Sequence, residues 1–107
     1  MPSAKQVVIF ITAKDNEQAQ RIAKGLLKAK LIACANIVPG VQSLFWWEGK
    51  IDEASEILLV LKTSASKINK IIGKVKSLHS YDVPEIIALP IVAGNKDYLK
   101  WVNESVK

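Results

Sequence analysis

Two side chains in this sequence could hold a soft or borderline metal ion: the single cysteine, Cys34, and the single histidine, His79. Thiolate and imidazole favour copper or zinc, and Asp82 and Glu85 could add oxygen donors. The spacing fits no established ligand motif, because Cys34 lies far upstream and His79-Ser80-Tyr81-Asp82 is not a ligand pattern. Each residue also has a simpler reading. Cys34 reads as a small buried hydrophobe in a strand, and His79 as a cap on the last carbonyls of a helix. Lys62, Tyr81 and Glu85 form a second set of polar residues beside apolar strands. They could line a cleft between subunits that takes a small anion or metabolite, or they could complete buried hydrogen bonds. Trp46 and Trp47 bring large apolar area to one short segment and are expected to anchor a neighbouring subunit. There is no Ser-His-Asp or Cys-His arrangement, and one histidine gives little acid–base equipment, so catalysis is not expected.

These residues must be positioned by a small number of elements. Ala33 to Thr63 reads as two long strands folded back at Glu48-Gly49, the first interrupted by Pro39-Gly40. Each arm runs to about ten residues or more, where about five or six is usual. A hairpin of this length overhangs a small domain and needs a partner to cover it. Upstream, Gln6 to Ala13 is a strand, and Asp15 with Gln18 three residues on has the pattern of a capping box. The helix it opens is expected to run to about Lys30 with Ala19, Ile22, Ala23, Leu26 and Leu27 on one face. A second helix begins near Ser64 to Ser66 and carries Ile68, Ile71, Ile72, Val75 and Leu78 on one stripe. After the polar loop from His79 to Pro84 comes a last strand, Glu85 to Val92, and then a short helix capped by Asn95.

The order is β-α-β-β-α-β plus a short helix, an α+β ferredoxin-like sandwich with an antiparallel sheet, built as a single domain over residues 1–107. Both main helices would cover one sheet face, and a wet second face should then alternate apolar with polar residues. The strands do not alternate. Val7, Ile9 and Ile11 oppose Val8 and Phe10; Ile57, Leu59 and Leu61 oppose Leu58 and Val60; Ile86 and Ala88 oppose Ile87, Leu89 and Ile91. Both faces are apolar, so an oligomer that packs sheet faces together is expected.

Charge and composition exclude several partners. The net charge is +5, but fourteen of the fifteen basic residues are lysine and only Arg21 is arginine. Near absence of the guanidinium fork argues against specific nucleic-acid recognition. Lys62, Lys67, Lys70, Lys74 and Lys76 read as a solvated helix face. Half the residues are hydrophobic, yet polar residues interrupt every run before the roughly 18 apolar positions of a membrane span. The N-terminus lacks a long apolar signal core, and one cysteine makes no internal disulfide, so a cytoplasmic location is expected.

Taken in order, ACANIVPG, SLFWWEGKI, LKTS, HSYDVPEI and the DYLKW near the end resemble the divalent-cation tolerance protein CutA family over nearly the whole chain. The resemblance implies a homotrimer of ferredoxin-like subunits, with long hairpins pairing edge to edge and sheets facing the threefold axis. It also implies an association with copper and other divalent metals, with no obligatory cofactor. Where some family members carry a cysteine in the first strand and tandem histidines before the tyrosine, this chain has Ile11 and Leu78-His79. A ligand set of that kind would be incomplete here, so metal binding is expected to be modest. Other classes on the same topology fit less well. An acylphosphatase-type loop would want arginine where this chain has Thr12-Ala13-Lys14-Asp15-Asn16, and an RNA-recognition sheet would want aromatics on the third strand. A PII-like trimeric signalling protein binding a metabolite between subunits is the remaining alternative, without a visible glycine-rich phosphate loop.

Overall fold

The β-branched run Gln6–Ala13 forms the first strand, β1, of the computed structural model, which describes residues 5–107. It is followed by α1 (Asn16–Lys28), β2 (Cys34–Trp47), β3 (Lys50–Ser64), a single 3₁₀ turn (Ala65–Lys67), α2 (Ile68–Leu78), β4 (Ile86–Pro90) and α3 (Lys96–Ser105). The strands form one antiparallel sheet in the order β2-β3-β1-β4. That is the ferredoxin-like arrangement expected from the element order. β4 is shorter than the expected Glu85 to Val92: it ends at Pro90, and one further backbone bond, from Ile91 N–H to Gln6 O at 3.1 Å, ties the chain to β1 beyond it.

The helix ends follow from local chemistry. Asp15 sits in an extended conformation and its carboxylate accepts from the Gln18 backbone N–H at 2.8 Å. Gln18 does not close the capping box as expected. Its Oε1 accepts from the Lys14 N–H at 3.1 Å, and its Nε2 donates to Ser80 Oγ at 2.8 Å, tying the helix start to the loop after α2. At the other end, Leu31 N–H bonds Leu26 O and Lys30 N–H bonds Leu27 O, both at 3.0 Å. This is a Schellman termination with Lys30 at φ 58° in the position glycine usually takes. Gly25 lies mid-helix because α2 comes close: a Cβ there would meet Leu78 Cδ1 at 3.1 Å.

The core lies between the sheet and the two main helices. Ile9, Ile11, Leu59 and Leu61 from the strands and Ile22, Leu26, Ile71 and Val75 from the helices are at most 1 % exposed. Leu27, expected on the buried stripe of α1, is 42 % exposed, one position past the face that Leu26 fills. Thr63 is fully buried and satisfies its hydroxyl by donating to Leu31 O at 2.6 Å.

Register decides what occupies the other sheet face. Directly paired residues share a face, so Val8, Phe10, Val38, Leu58, Val60, Ile87 and Leu89 all lie opposite the helices. α3 covers only one end of that face, where Gln6 Nε2 donates to Leu99 O, Ser64 Oγ bonds Asn103 Oδ1 and Cys34 Sγ meets Tyr98 Oη. Ile87 remains 50 % exposed and Leu89 41 % in the single chain.

The hairpin departs from the sheet beyond Glu56. β1 pairs with β3 only from Ile57 to Ser64, so Val41–Trp47 and Lys50–Glu56 form a two-stranded ribbon with no third strand beside it. Its turn has both central residues at positive φ, Glu48 at 51° and Gly49 at 78°, as a two-residue primed turn requires. At Pro39-Gly40 one extra residue enters β2 between Val38 and Val41, with Gly40 at φ 75°. A bulge of this kind reverses the alternation beyond it. Phe45 and Trp47, odd-numbered, therefore lie on the same side as Val38, Leu58 and Val60. The ribbon gives the chain extents of 43 × 31 × 23 Å and a radius of gyration of 14.4 Å, against about 13 Å for an ordinary domain of this length.

Candidate functional site

The expected metal ligands do not converge within one chain. Cys34 lies opposite Lys62, and Lys62 opposite Val8, at the α3 end of the sheet. His79 is held at Thr12, four residues farther along β1, or roughly 13 Å, with two strand spacings of about 4.8 Å more across the sheet. No group of three or more His, Cys, Asp or Glu side chains placed to hold a metal ion is found among the described residues.

His79 is committed at both ring nitrogens. Nε2 lies 2.8 Å from Thr12 O, and Nδ1 lies 3.1 Å from the Tyr81 backbone N. A carbonyl can only accept and a backbone N–H can only donate, so Nε2 carries the proton and Nδ1 is the acceptor. The ring thus locks the loop after α2 onto the end of β1, and its tilted contact with Tyr81 at 4.6 Å between centroids completes the clamp. The helix carbonyl is satisfied by the His79 backbone N–H, which donates to Val75 O at 2.8 Å, rather than by the ring. Cys34 is half-buried rather than enclosed in the core, and its Sγ lies 3.4 Å from Tyr98 Oη.

Within one chain the second set of residues, expected at a cleft between subunits, falls in two places. Tyr81 and Glu85 line one groove of about 930 Å³ between the overhanging ribbon and the loop before β4. Lys62 lies on the same face but six residues along β3 from Glu56, toward the α3 end, with its ammonium donating to Asn36 Oδ1. The residue that organises the groove is Glu56, which the sequence reading did not single out. It is 8 % exposed, at the point where the ribbon leaves the sheet, and its Oε2 accepts from Tyr81 Oη at 2.9 Å. The signal that could have found it is a carboxylate two residues before Leu58 and four before Val60, on the same side of the strand as both. Trp46 is 73 % and Trp47 49 % exposed at the ribbon tip.

Both tyrosines of the chain are held protonated beyond their ordinary range. Burial, then the hydrogen bond to Glu56 and the charges of Glu56 and Asp15, push the Tyr81 phenol up to about 12. The hydrogen bond to Cys34, then burial, raise Tyr98 to about 12 as well. Folding therefore favours the neutral phenols. Their contribution to stability is complete below about pH 10 and is lost as the pH rises through about 12. The phenolate absorbance of the folded protein should rise as a single phase near pH 12. A phase near pH 10, absent denaturation, would show that these two contacts are not made in solution.

Comparison with known proteins is consistent over most of the chain. A family model for the CutA1 divalent ion tolerance protein matches residues 7–105. The Divalent-cation tolerance protein CutA of Thermus thermophilus is 47 % identical over 98 residues, which are 92 % of this chain and 95 % of that protein. Protein CutA 1, chloroplastic, of Oryza sativa is 45 % identical over 101 residues; the match takes in 94 % of this chain but spans only 57 % of the rice protein. Among solved structures, the periplasmic divalent cation tolerance protein CutA of Archaeoglobus fulgidus superposes with a TM-score of 0.93 at 47 % identity, covering 95 % of this chain and 99 % of that one.

Proposed function

The chain belongs to the CutA1 divalent ion tolerance family, and from that premise we propose that it acts as a non-catalytic homotrimer whose sheet faces pack together and whose ribbons reach onto neighbouring subunits. The observation that carries this reading is the second sheet face. Phe10, Val60, Ile87 and Leu89 form a continuous apolar surface there, and α3 covers only one end of it. Soluble chains rarely leave such a surface to water. β4 is an edge strand with unpaired backbone groups, and the ribbon is a hairpin too long to be stable alone. Edge-to-edge pairing between copies would satisfy both. Native mass spectrometry of the purified chain should give a three-chain species, and a lone chain would refute the proposal.

Metal association is proposed to be modest and without an obligatory cofactor. A Cu²⁺ or Zn²⁺ ion taking a nitrogen of His79 must displace either the Tyr81 N–H or the bond to Thr12 O, and that loss offsets part of the coordination energy. Calorimetric titration with Cu²⁺ should therefore show weak binding that His79→Ala reduces further. Equal affinity in the two proteins would remove His79 from the ligand set, and loss on Cys34→Ser alone would assign binding to the strand thiol.

The alternative of a PII-like protein that binds an anion between subunits gains no support from the groove. Its lining carries Asp52, Glu53, Glu56, Asp82 and Glu85 and no basic side chain, so it repels phosphates and carboxylates. A reducing cytoplasm is the proposed compartment, supported by the unpaired Cys34 thiol. Two relatives are named for other compartments, the rice protein as chloroplastic and the Archaeoglobus fulgidus protein as periplasmic. No helix among the described residues is long and apolar enough to cross a membrane.

A further inference from the structure

The basic charge of the chain is gathered on its helical layer. Residues 16–30 and 65–78, which hold α1, the 3₁₀ turn and α2, carry eight of the fifteen basic residues and only one of the ten acidic ones, Glu17. The rest of the chain holds seven basic and nine acidic side chains. The net charge of +5 therefore comes entirely from the helices, and the sheet, ribbon and loops are slightly acidic. This layer is also the outer one. α1 and α2 cover the sheet face opposite to Phe10 and Val60, so packing the apolar faces together leaves the helices in water.

Helix packing brings two basic rows together. On α2, Lys70, Lys74 and Leu78 follow one another at four-residue spacing along one flank. Leu78 Cδ1 lies 3.1 Å from where a Cβ on Gly25 would stand, so that flank is the one turned toward α1. On α1, Arg21 and Lys28 stand one turn before and one turn after Gly25, on the same side. Arg21 and Lys28 thus border the contact line between the helices from α1, and Lys70 and Lys74 border it from α2. All four are exposed. Little in the layer offsets them. α2 bears no acidic residue, and among the described residues the one ion pair of this layer joins Arg21 to Glu17 at 3.9 Å, exposed and weak.

The chemistry of the layer selects among polyanions. Neither helix carries an aromatic residue, so single-stranded nucleic acid would find no platform on which its bases could stack. One arginine among the eight basic residues gives little recognition of base edges. Ile22 and Leu26 of α1 and Ile71 and Val75 of α2 are committed to the core, so neither apolar stripe can enter a bilayer. What remains is a double row of flexible point charges, which suits phosphate. A bare phosphate chain needs nothing else.

We propose that the outer face of α1 and α2 binds linear inorganic polyphosphate, laid along the contact line between Arg21 and Lys28 on one side and Lys70 and Lys74 on the other. The inference goes beyond metal tolerance and beyond assembly, because each chain holds a complete site on the surface that assembly leaves free. A surface of one sign concentrates its counter-ion, and displaced salt ions supply much of the driving force.

The probe is sodium polyphosphate of defined chain length, titrated calorimetrically into the intact assembled protein over a series of salt concentrations. Saturable binding is expected, with an affinity that falls log-linearly as salt rises. Lys70→Gln with Lys74→Gln should weaken binding about tenfold or more at low salt, and should lower the salt slope by about one for each lysine lost. Lys70→Arg with Lys74→Arg keeps both charges and should keep the affinity. Lys96→Gln with Lys107→Gln removes the same charge beside α3, on the other side of the sheet, and should have far less effect. Assembly mass and melting temperature are measured on each variant. If the α2 pair of glutamines disturbs the fold, Arg21→Gln with Lys28→Gln is expected to weaken binding in its place. Absence of saturable binding to the wild type at low salt would overturn the proposal. Equal weakening by the α2 and α3 pairs would reduce the effect to net charge and overturn it also. So would tighter binding, per phosphate, of oligothymidylate or of phosphatidylserine vesicles, which would assign the face to a nucleic acid or a membrane.

Discussion

Val60→Asp is expected to abolish assembly while leaving the fold of each chain recognisable. Val60 lies on β3, opposite Phe10 on one side and Asn36 on the other, near the middle of the face that the helices do not cover. If that face is buried between copies, each assembly must desolvate one carboxylate per chain against apolar side chains, at several kcal/mol per ion. The threefold repetition multiplies the effect. If the chain works alone, the same change merely adds a charge to a partly wetted surface and should shift stability by about 0.5 kcal/mol or less. Sedimentation velocity separates the two outcomes: a shift to a single-chain species supports the covered face, and an unchanged boundary refutes it.

Trp47→Ala carries the second large effect. Trp47 is 49 % exposed in the single chain, paired with Lys50 at the end of a ribbon that no third strand supports. Within one chain its removal would cost little, because half of the ring is already in water. As an anchor in a neighbouring subunit it would be buried on all sides, and truncating a buried aromatic costs about 3–5 kcal/mol. The variant should therefore dissociate at higher protein concentration and melt earlier, with the loss of melting temperature depending on concentration. A melting temperature that falls equally at every concentration would place Trp47 in a core rather than an interface. No change in either quantity would remove it from both.

Much of the fold was legible in the sequence because local signals agreed with one another. Asp15 and Asn95 each cap a helix as their side chains suggest, and Glu48-Gly49 makes the turn its residues favour. The doubled apolar faces of β1, β3 and β4 were readable because strand alternation is a strict period of two. What the sequence concealed depends on register and on contacts between distant elements. The bulge at Pro39-Gly40 reverses the sidedness of Phe45 and Trp47, and a plain count of alternation through β2 puts them on the wrong side. Lys62 and Tyr81 stand equally close to apolar strands in a linear reading, yet within one chain they lie toward opposite ends of β3. The two partners of the His79 ring, Thr12 O and the Tyr81 N–H, are backbone groups that leave no trace in side-chain composition. Glu56 escaped notice for the opposite reason: a single glutamate in a long hairpin is ordinary until the ribbon and the loop close around it.

The apolar sheet face of Phe10, Leu58 and Val60 continues onto the side of the ribbon that carries Phe45 and Trp47. Covering that continuous surface is what places assembly at the centre.

Multi-angle light scattering across a dilution series tests that centre most directly. A mass three times the 11.8 kDa of one chain is expected, held down to micromolar protein and independent of added metal or chelator. A mass of one chain at micromolar concentration would contradict it, and would leave the apolar face of Phe10, Val60, Ile87 and Leu89 without an explanation.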